Sequence, residues 1–237
     1  MASDDLHPSE ASITPASGYT LELRLTGQRV VIIGGGRTAM RKLPNLLAAG
    51  ARVDLIDPAP LTEIPPHPQL RHHRRGYQPA DLSTARLVFA ATNNPQLNAQ
   101  IAKDATALGT LCCRIDSAEN SDFITPARLN RPPLTFSVST GGESPAMASA
   151  LRDLLAKMIP GVWQTATELS AAIRRKVLTE QPQIPYNQQV LLLLIEQGLL
   201  ESLERADEAG TDRLLLKHFG ADFTLKNLRF TLPEGTP

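Results

Sequence analysis

Three small residues at fixed spacing, Gly34, Gly36 and Ala39, stand directly after the apolar run Val30-Val31-Ile32-Ile33. The pattern G-x-G-x-x-A between a strand and a helix suits a dinucleotide. The first glycine permits a tight turn, the second lets a pyrophosphate reach the backbone, and the small third residue lets helix and strand pack closely. The helix that follows would turn its free N–H groups and positive dipole end toward the phosphates. Asp57 ends the next apolar run about 20 residues later, where an acid takes the adenosine ribose hydroxyls. An acid there favours NAD, because it repels the 2′-phosphate of NADP. The alternatives are a ligand-free turn at the glycines and a solvated turn residue before proline at Asp57.

A second carboxylate, Asp116, closes the run Leu111 to Ile115. At the carboxyl end of a parallel strand, where such sheets bind ligands, it can serve as a general base. Equally, it can cap the following loop through its own backbone. Arg114, Arg128, Arg131 and Arg152 lie in the stretch around it. Each is a candidate fork for a ligand carboxylate, or a solvated surface arginine. Ser139 and Thr140, where a short strand breaks, join them as candidate substrate contacts.

Other reactive residue types carry less. His72 and His73 lack zinc-site spacing and read as part of a solvated loop. Arg174-Arg175-Lys176 reads as an exposed helix face. Cys112 and Cys113 are adjacent, so in a strand they point to opposite faces and do not pair; they read as small core residues. No metal-ligand cluster, P-loop or Ser-His-Asp arrangement is found, and no metal site is expected.

The elements that must position these groups follow from hydrophobic pattern. Leu21, Leu23 and Leu25 alternate with polar residues and predict a half-buried strand. Buried strands are expected at Val30–Ile33, Val53–Ile56, Leu87–Ala91 and Leu111–Ile115. Helices are expected from the glycines to about Ala49, with Pro44 kinking it, and from Gln96 to Leu108. Pro60 to Gln69 reads as loop. This alternation predicts an α/β, Rossmann-type parallel sheet. A strand at Leu134–Val138 and a helix from Ser144-Pro145 then form a small α+β segment. Helices at Trp163–Thr179 and Asn187–Ala206 begin a helical C-terminal domain. The expected boundaries are a disordered tail over 1–18, an NAD-binding domain over 19–126, a dimerisation segment over 127–161 and the helical domain over 162–237.

Lysine plus arginine equals aspartate plus glutamate at 24 each, so no global field favours nucleic acid or membrane surfaces. The N-terminus lacks the basic and apolar regions of a signal peptide. The longest apolar run, Val190 to Ile195, is far shorter than the ~20 residues that span a bilayer. Two cysteines without a disulfide framework fit a reducing, cytoplasmic setting.

Four segments carry a family resemblance: GGGRTAMRK (34–42), AATNNPQLN (90–98), LCCRIDSAENSDFITPA (111–127) and PLTFSVSTGGESPAMASALRDLL (133–155). In this order they resemble the precorrin-2 dehydrogenase family, which includes a module of sirohaem synthase and a bifunctional dehydrogenase/ferrochelatase. The resemblance covers about residues 19 to 160. It implies NAD-dependent oxidation of precorrin-2 to sirohydrochlorin, toward sirohaem or cobalamin, in a homodimer assembled through the segment after the Rossmann domain. In some members it also implies insertion of ferrous or cobaltous ion. By this resemblance Asp116 is the catalytic aspartate. The nucleotide contacts are Gly34, Gly35, Gly36, Arg37, Thr38, Pro58 and Ala59, with Thr92 in a loop closing over the cofactor. With no methyltransferase module following, the free-standing form is expected. Cys113 departs from the asparagine frequent at its position, and Asp57 fits the general Rossmann rule better than the family pattern. Two rival readings remain: a chelatase with little dehydrogenase activity, and a non-enzymatic NAD-binding sensor.

Overall fold

A computed structural model of the chain describes residues 18–60 and 62–233. It divides into two units, residues 1–125 with 141–143, and residues 126–140 with 144–237. Most of the segment expected as a disordered tail, residues 1–17, lies outside the described residues.

The first unit is built on β1 (Arg29–Ile33), α1 (Arg37–Ala48), β2 (Arg52–Ile56), β3 (Leu70–His73), β4 (Leu87–Ala90), α2 (Pro95–Ala107) and β5 (Leu111–Arg114). The five strands form one parallel sheet in the order β3-β2-β1-β4-β5. This is the α/β Rossmann arrangement, and β1 lies in its middle. Strand alternation sends Val30 and Ile32 to one face with Leu43 and Leu46 of α1. It sends Val31 and Ile33 to the other face, in a core that includes Ile101 and Ala105 of α2. Each such side chain contributes roughly 1.5–3 kcal/mol when fully buried, so a central strand apolar on both faces fixes the sheet. The adjacent cysteines obey the same rule, Cys113 joining the first core and Cys112 the second.

The helices start differently. At the start of α2, Asn94 accepts hydrogen bonds from the backbone N–H groups of Gln96 and Leu97, and Pro95 takes the first helical position. Gly36 opens α1 with no side-chain cap and no acid in the first turn. Pro44 lies inside α1 on its exposed side.

The second unit pairs β6 (Ala127–Arg131) with β7 (Leu134–Val138) in an antiparallel hairpin, followed by α3 (Pro145–Met158). Helices α4 (Val162–Glu180), α5 (Gln188–Glu196), α6 (Leu199–Glu204), α7 (Glu208–Phe219) and α8 (Leu225–Leu228) enclose a core around Leu169, Ile173, Leu194, Leu215 and Phe223. Among the described residues no helix is long and apolar enough to cross a membrane.

Three sequence expectations change, and one strand was not expected. Leu21, Leu23 and Leu25 form no strand, because Leu25 alone is buried and Leu21 and Leu23 remain exposed. The basic run at His72 and His73 is not a loop but the edge strand β3. Its backbone pairs with β2, and the rings of His73 and His72 bond to the Asp54 carboxylate (2.9 Å) and the Asp57 carbonyl (3.0 Å). The helix expected over Asn187–Ala206 is two helices, because Gly198 at φ +96° separates α5 from α6. Strand β6, with alternate arginines and asparagine, had no apolar run to announce it.

Candidate functional site

The carboxyl ends of β1, β2, β4 and β5 carry the nucleotide candidates and Asp116 singled out in the sequence. The glycine turn after β1 is shaped by contact on two sides. Gly34, at φ +105°, brings its α-carbon so close to β4 that a Cβ would stand 2.3 Å from the carbonyl oxygen of Ala91. At Gly35 a Cβ would meet Pro60 at 2.6 Å. Gly36 is the opposite case, since a Cβ there would enter open space with no heavy atom within 4 Å. The turn is therefore packed where it meets protein and open at the uncapped start of α1. A twelve-residue helix with free N–H groups behind a vacant glycine face suits a pyrophosphate. Arg37 is exposed and Thr38 half-buried in the first turn of α1.

Asp57 follows β2 and is held against this turn. Its Oδ2 accepts from the Gly35 N–H at 2.5 Å and its Oδ1 from the Ala59 N–H at 2.7 Å. The bond to Ala59, two residues on, is an Asx turn, the bond to Gly35 ties that turn to the glycines, and each oxygen keeps lone-pair capacity for a further donor. Beside it Pro58, Ala59, Ile64, Leu70 and Arg74 help line an open cavity of about 680 Å³. That volume falls in the small-ligand range of ~300–1,000 Å³.

Across the β1–β4 boundary, where strand order reverses, lies a connected polar cluster. Thr92 follows β4 and Asp116 follows β5, and the fully buried Asn98 of α2 bonds to both. Asn98 Oδ1 accepts from the Thr92 N–H at 3.1 Å and the Thr92 hydroxyl at 2.7 Å. Its Nδ2 donates to the Thr92 carbonyl at 3.1 Å and to Asp116 Oδ1 at 3.1 Å. Arg114 completes the cluster, donating from Nη2 to Asp116 Oδ2 at 2.7 Å and from Nε to Oδ1 at 3.3 Å. The Arg114 guanidinium, with Asn98 and a backbone N–H adding to it, holds the Asp116 carboxyl below the usual carboxylate range. Asp116 is therefore ionised at neutral pH while its side chain keeps 23% exposure.

Asn98 is the residue that sequence reasoning missed. Its signal was present: Asn98, Ile101 and Ala105 form the buried stripe of α2, and a polar residue in that stripe needs a partner.

Around the cluster, Lys42 is driven toward its neutral form by burial. Its Nζ donates to Thr125 Oγ1 at 2.5 Å and lies 5.0 Å from the centre of the Phe89 ring. Burial pushes the Cys112 thiol up to about 12 and also raises Cys113, so both thiols stay protonated at neutral pH.

The remaining candidates belong to the second unit. Arg131 donates to the carbonyls of Ile159 and Ala156 at the carboxyl end of α3. The Thr140 hydroxyl accepts from the Ser144 N–H at 3.0 Å. Arg152 is paired with its neighbour Asp153. Arg128 and Ser139 lie in β6 and directly after β7. Among the described residues no group of three metal-ligating side chains could hold an ion.

Residues 21–127 match the family model described as "Putative NAD(P)-binding". A siroheme synthase of Chromobacterium violaceum is 32% identical over 206 residues, covering 86% of this chain and 44% of that protein. Siroheme synthase 2 of Aeromonas salmonicida is 38% identical over 158 residues, covering 65% of this chain and 32% of that protein. The chain thus spans less than half the length of these relatives. In fold it is similar to the solved structure of SirC, a precorrin-2 dehydrogenase, with a TM-score of 0.64 and 21% identity over 84% of this chain and 98% of that one.

Proposed function

This chain belongs to the precorrin-2 dehydrogenase family, and we propose that it oxidises precorrin-2 to sirohydrochlorin with NAD. Bound NAD+ supplies the acceptor for the hydride that leaves the macrocycle. The observation that carries the reading is the position of two different groups at one edge of one sheet. The open glycine turn and an ionised, partly exposed carboxylate flank the end of β4.

The residues divide the work as follows. Gly34, Gly35 and Gly36 with the start of α1 hold the pyrophosphate, and Arg37 and Thr38 stand in the same turn. Asp57, Pro58 and Ala59 receive the adenosine side, where Asp57 selects NAD over NADP. Thr92 borders the nicotinamide side. Asp116 takes the proton that accompanies hydride loss, and its ionised state is the form a base requires. Arg114, Arg128, Arg131, Arg152, Ser139 and Thr140 are proposed to serve the substrate's carboxylates, which favour forked guanidinium partners. In this structure Arg114 and Arg131 are already engaged, with Asp116 and with the end of α3 respectively.

A homodimer assembled through residues 127–161 completes the reading. Met147, Leu151, Leu154 and Met158 recur at helical spacing along α3 and are 55%, 41%, 53% and 74% exposed. We place the protein in the cytoplasm, where two free thiols persist. Insertion of ferrous or cobaltous ion into the product would draw on the same carboxylate to strip pyrrole protons.

The test is anaerobic oxidation of precorrin-2 by the wild type and by Asp116→Asn, with nucleotide affinity and thermal stability measured on the same preparations. The substitution keeps shape and removes basicity, so turnover falls about 10²–10⁴-fold with affinity and stability retained. Near-normal oxidation removes Asp116 from the chemistry. Adding ferrous or cobaltous ion to the product shows whether a chelatase activity exists and falls in parallel.

A further inference from the structure

We propose that Asn98 is the positioning residue of this site: it locks Asp116 to the Thr92 loop and leaves Oδ2 as the carboxylate oxygen that takes up a proton. The statement about the proton rests on the catalytic reading of Asp116. The statement about position does not.

The argument starts from the chemistry of an amide. Asn98 has two acceptor sites on Oδ1 and two donor hydrogens on Nδ2. Fully buried, it uses all four: two bonds received from Thr92, one given to the Thr92 carbonyl and one given to Asp116. The orientation of the amide is not free. The Thr92 backbone N–H can only donate, so the atom facing it is Oδ1, which turns Nδ2 toward Asp116.

An NH2 group offers no lone pair, so its bond to Asp116 Oδ1 is strongest while that oxygen is unprotonated and charged. A proton placed there would find no acceptor in Nδ2 and would weaken the bond. Arg114 Nε approaches the same oxygen at 3.3 Å, and Oδ2 is held by Arg114 Nη2 at 2.7 Å. Oδ2 is thus the oxygen that a swing of one side chain frees. The charged group facing Asp116 is Arg114 from β5, while Asn98 from α2 does not titrate.

Distance along the chain gives the arrangement its purpose. Residues 92, 98 and 116 sit on the loop after β4, in α2 and on the loop after β5; the backbone joins these two strand ends once, from the Ile115 N–H to the Ala90 carbonyl at 3.1 Å, and beyond that bond Asn98 spans the loops. A side chain that merely capped the Thr92 turn would spend three of its four bonds as this one does, but would not touch the carboxylate.

The experiment is ¹³C NMR titration of the Asp116 carboxyl, assigned by its loss in Asp116→Asn. In the wild type the resonance titrates below the ordinary aspartate range. In Asn98→Ala the lost charge-assisted bond raises its proton affinity about tenfold. The same midpoint in a folded Asn98→Ala protein overturns the inference. If that variant does not fold, the native protein decides: the Asn98 side-chain N–H signals shift with pH at the Asp116 midpoint and lose that dependence in Asp116→Asn. Signals that ignore the midpoint overturn the inference. Full turnover by Asp116→Asn instead overturns the catalytic reading and the proton's assignment, while leaving the NMR result to judge position separately.

Discussion

Gly34 and Gly36 belong to one three-residue turn, yet replacing them should damage the protein in opposite ways. At Gly34 a Cβ would lie 2.3 Å from the Ala91 carbonyl oxygen, 2.6 Å from its carbon and 2.8 Å from the Thr92 nitrogen. All three are backbone atoms directly after β4, so relief requires the ends of β1 and β4 to separate. Holding a non-glycine residue at φ +105° costs ~1–3 kcal/mol, and forcing packed backbone apart adds ~1–3 kcal/mol. A loss of about 4 kcal/mol is a large part of the ~5–15 kcal/mol that stabilises a typical domain. At ~2–4 °C per kcal/mol for a chain of this size, the melting temperature of Gly34→Ala should fall by roughly 8–16 °C.

Gly36 has φ −75° and ψ 174°, an extended conformation open to any residue, and a Cβ there meets nothing. Gly36→Val should therefore melt within about 2–4 °C of wild type, since removing a glycine at a compatible position changes stability by ~0.4–1 kcal/mol. Its methyl groups occupy the space through which N–H groups would reach a phosphate. Losing two charge-assisted bonds at ~1.5 kcal/mol each weakens nucleotide binding at least a hundredfold. Differential scanning calorimetry and isothermal titration with NAD+ read the two effects. A Gly34→Ala protein as stable as wild type, or a folded Gly36→Val protein with undiminished affinity, would refute the division of labour within the turn.

Three further outcomes are expected. The wild type should show higher kcat/KM with NAD+ than with NADP+, and Asp57→Ser should narrow the gap; equal values for the wild type would remove Asp57 from cofactor selection. Leu151→Glu with Leu154→Glu should convert a dimer into a species near the 25.7 kDa chain mass by light scattering, whereas a monomeric wild type ends the dimer proposal. The pH dependence has a defined sign: Arg114 is the main cause of the lowered Asp116 carboxyl, so the base stays ionised above that lowered value and is lost as pH falls through it. Arg114→Leu lets the carboxyl rise, and the acid limb of kcat should move to higher pH; an unmoved limb would show that a different group controls it.

Much of this was legible in the sequence because it depends on local pattern. The apolar run Val30–Ile33, the glycine spacing and the acid at Asp57 lie close together along the chain, and one rule for parallel sheets relates them. Strand β3 was not legible. Of Leu70, Arg71, His72 and His73 only the first is apolar, and the strand exists because β2 presents an unpaired edge and the carbonyl and carboxylate of Asp57 and Asp54 to the two rings. Hairpin strand β6 was hidden for a similar reason: its register with β7 pairs Leu129 with Phe136, but arginine and asparagine alternate with the apolar residues. Leu21 and Leu23 show the reverse error, since alternation without a neighbouring strand makes no sheet.

The polar cluster shows what local pattern cannot deliver. Asp116 was identifiable as a carboxylate at a strand end, but not the direction in which its charge is held. That direction comes from Arg114 two residues earlier and from Asn98 eighteen residues earlier, in a different element. The trace of the second partner is a departure from pattern: an amide inside the stripe that continues through Ile101 and Ala105. A buried amide with no partner would cost ~1–3 kcal/mol, so its presence requires polar groups within reach. In a parallel sheet the polar groups beside the amino end of such a helix are the loops after the neighbouring strands, which are also where ligands bind. An asparagine at the buried start of a crossover helix is therefore a pointer from sequence to the working edge of the sheet, and here it leads to Thr92 on one side and Asp116 on the other.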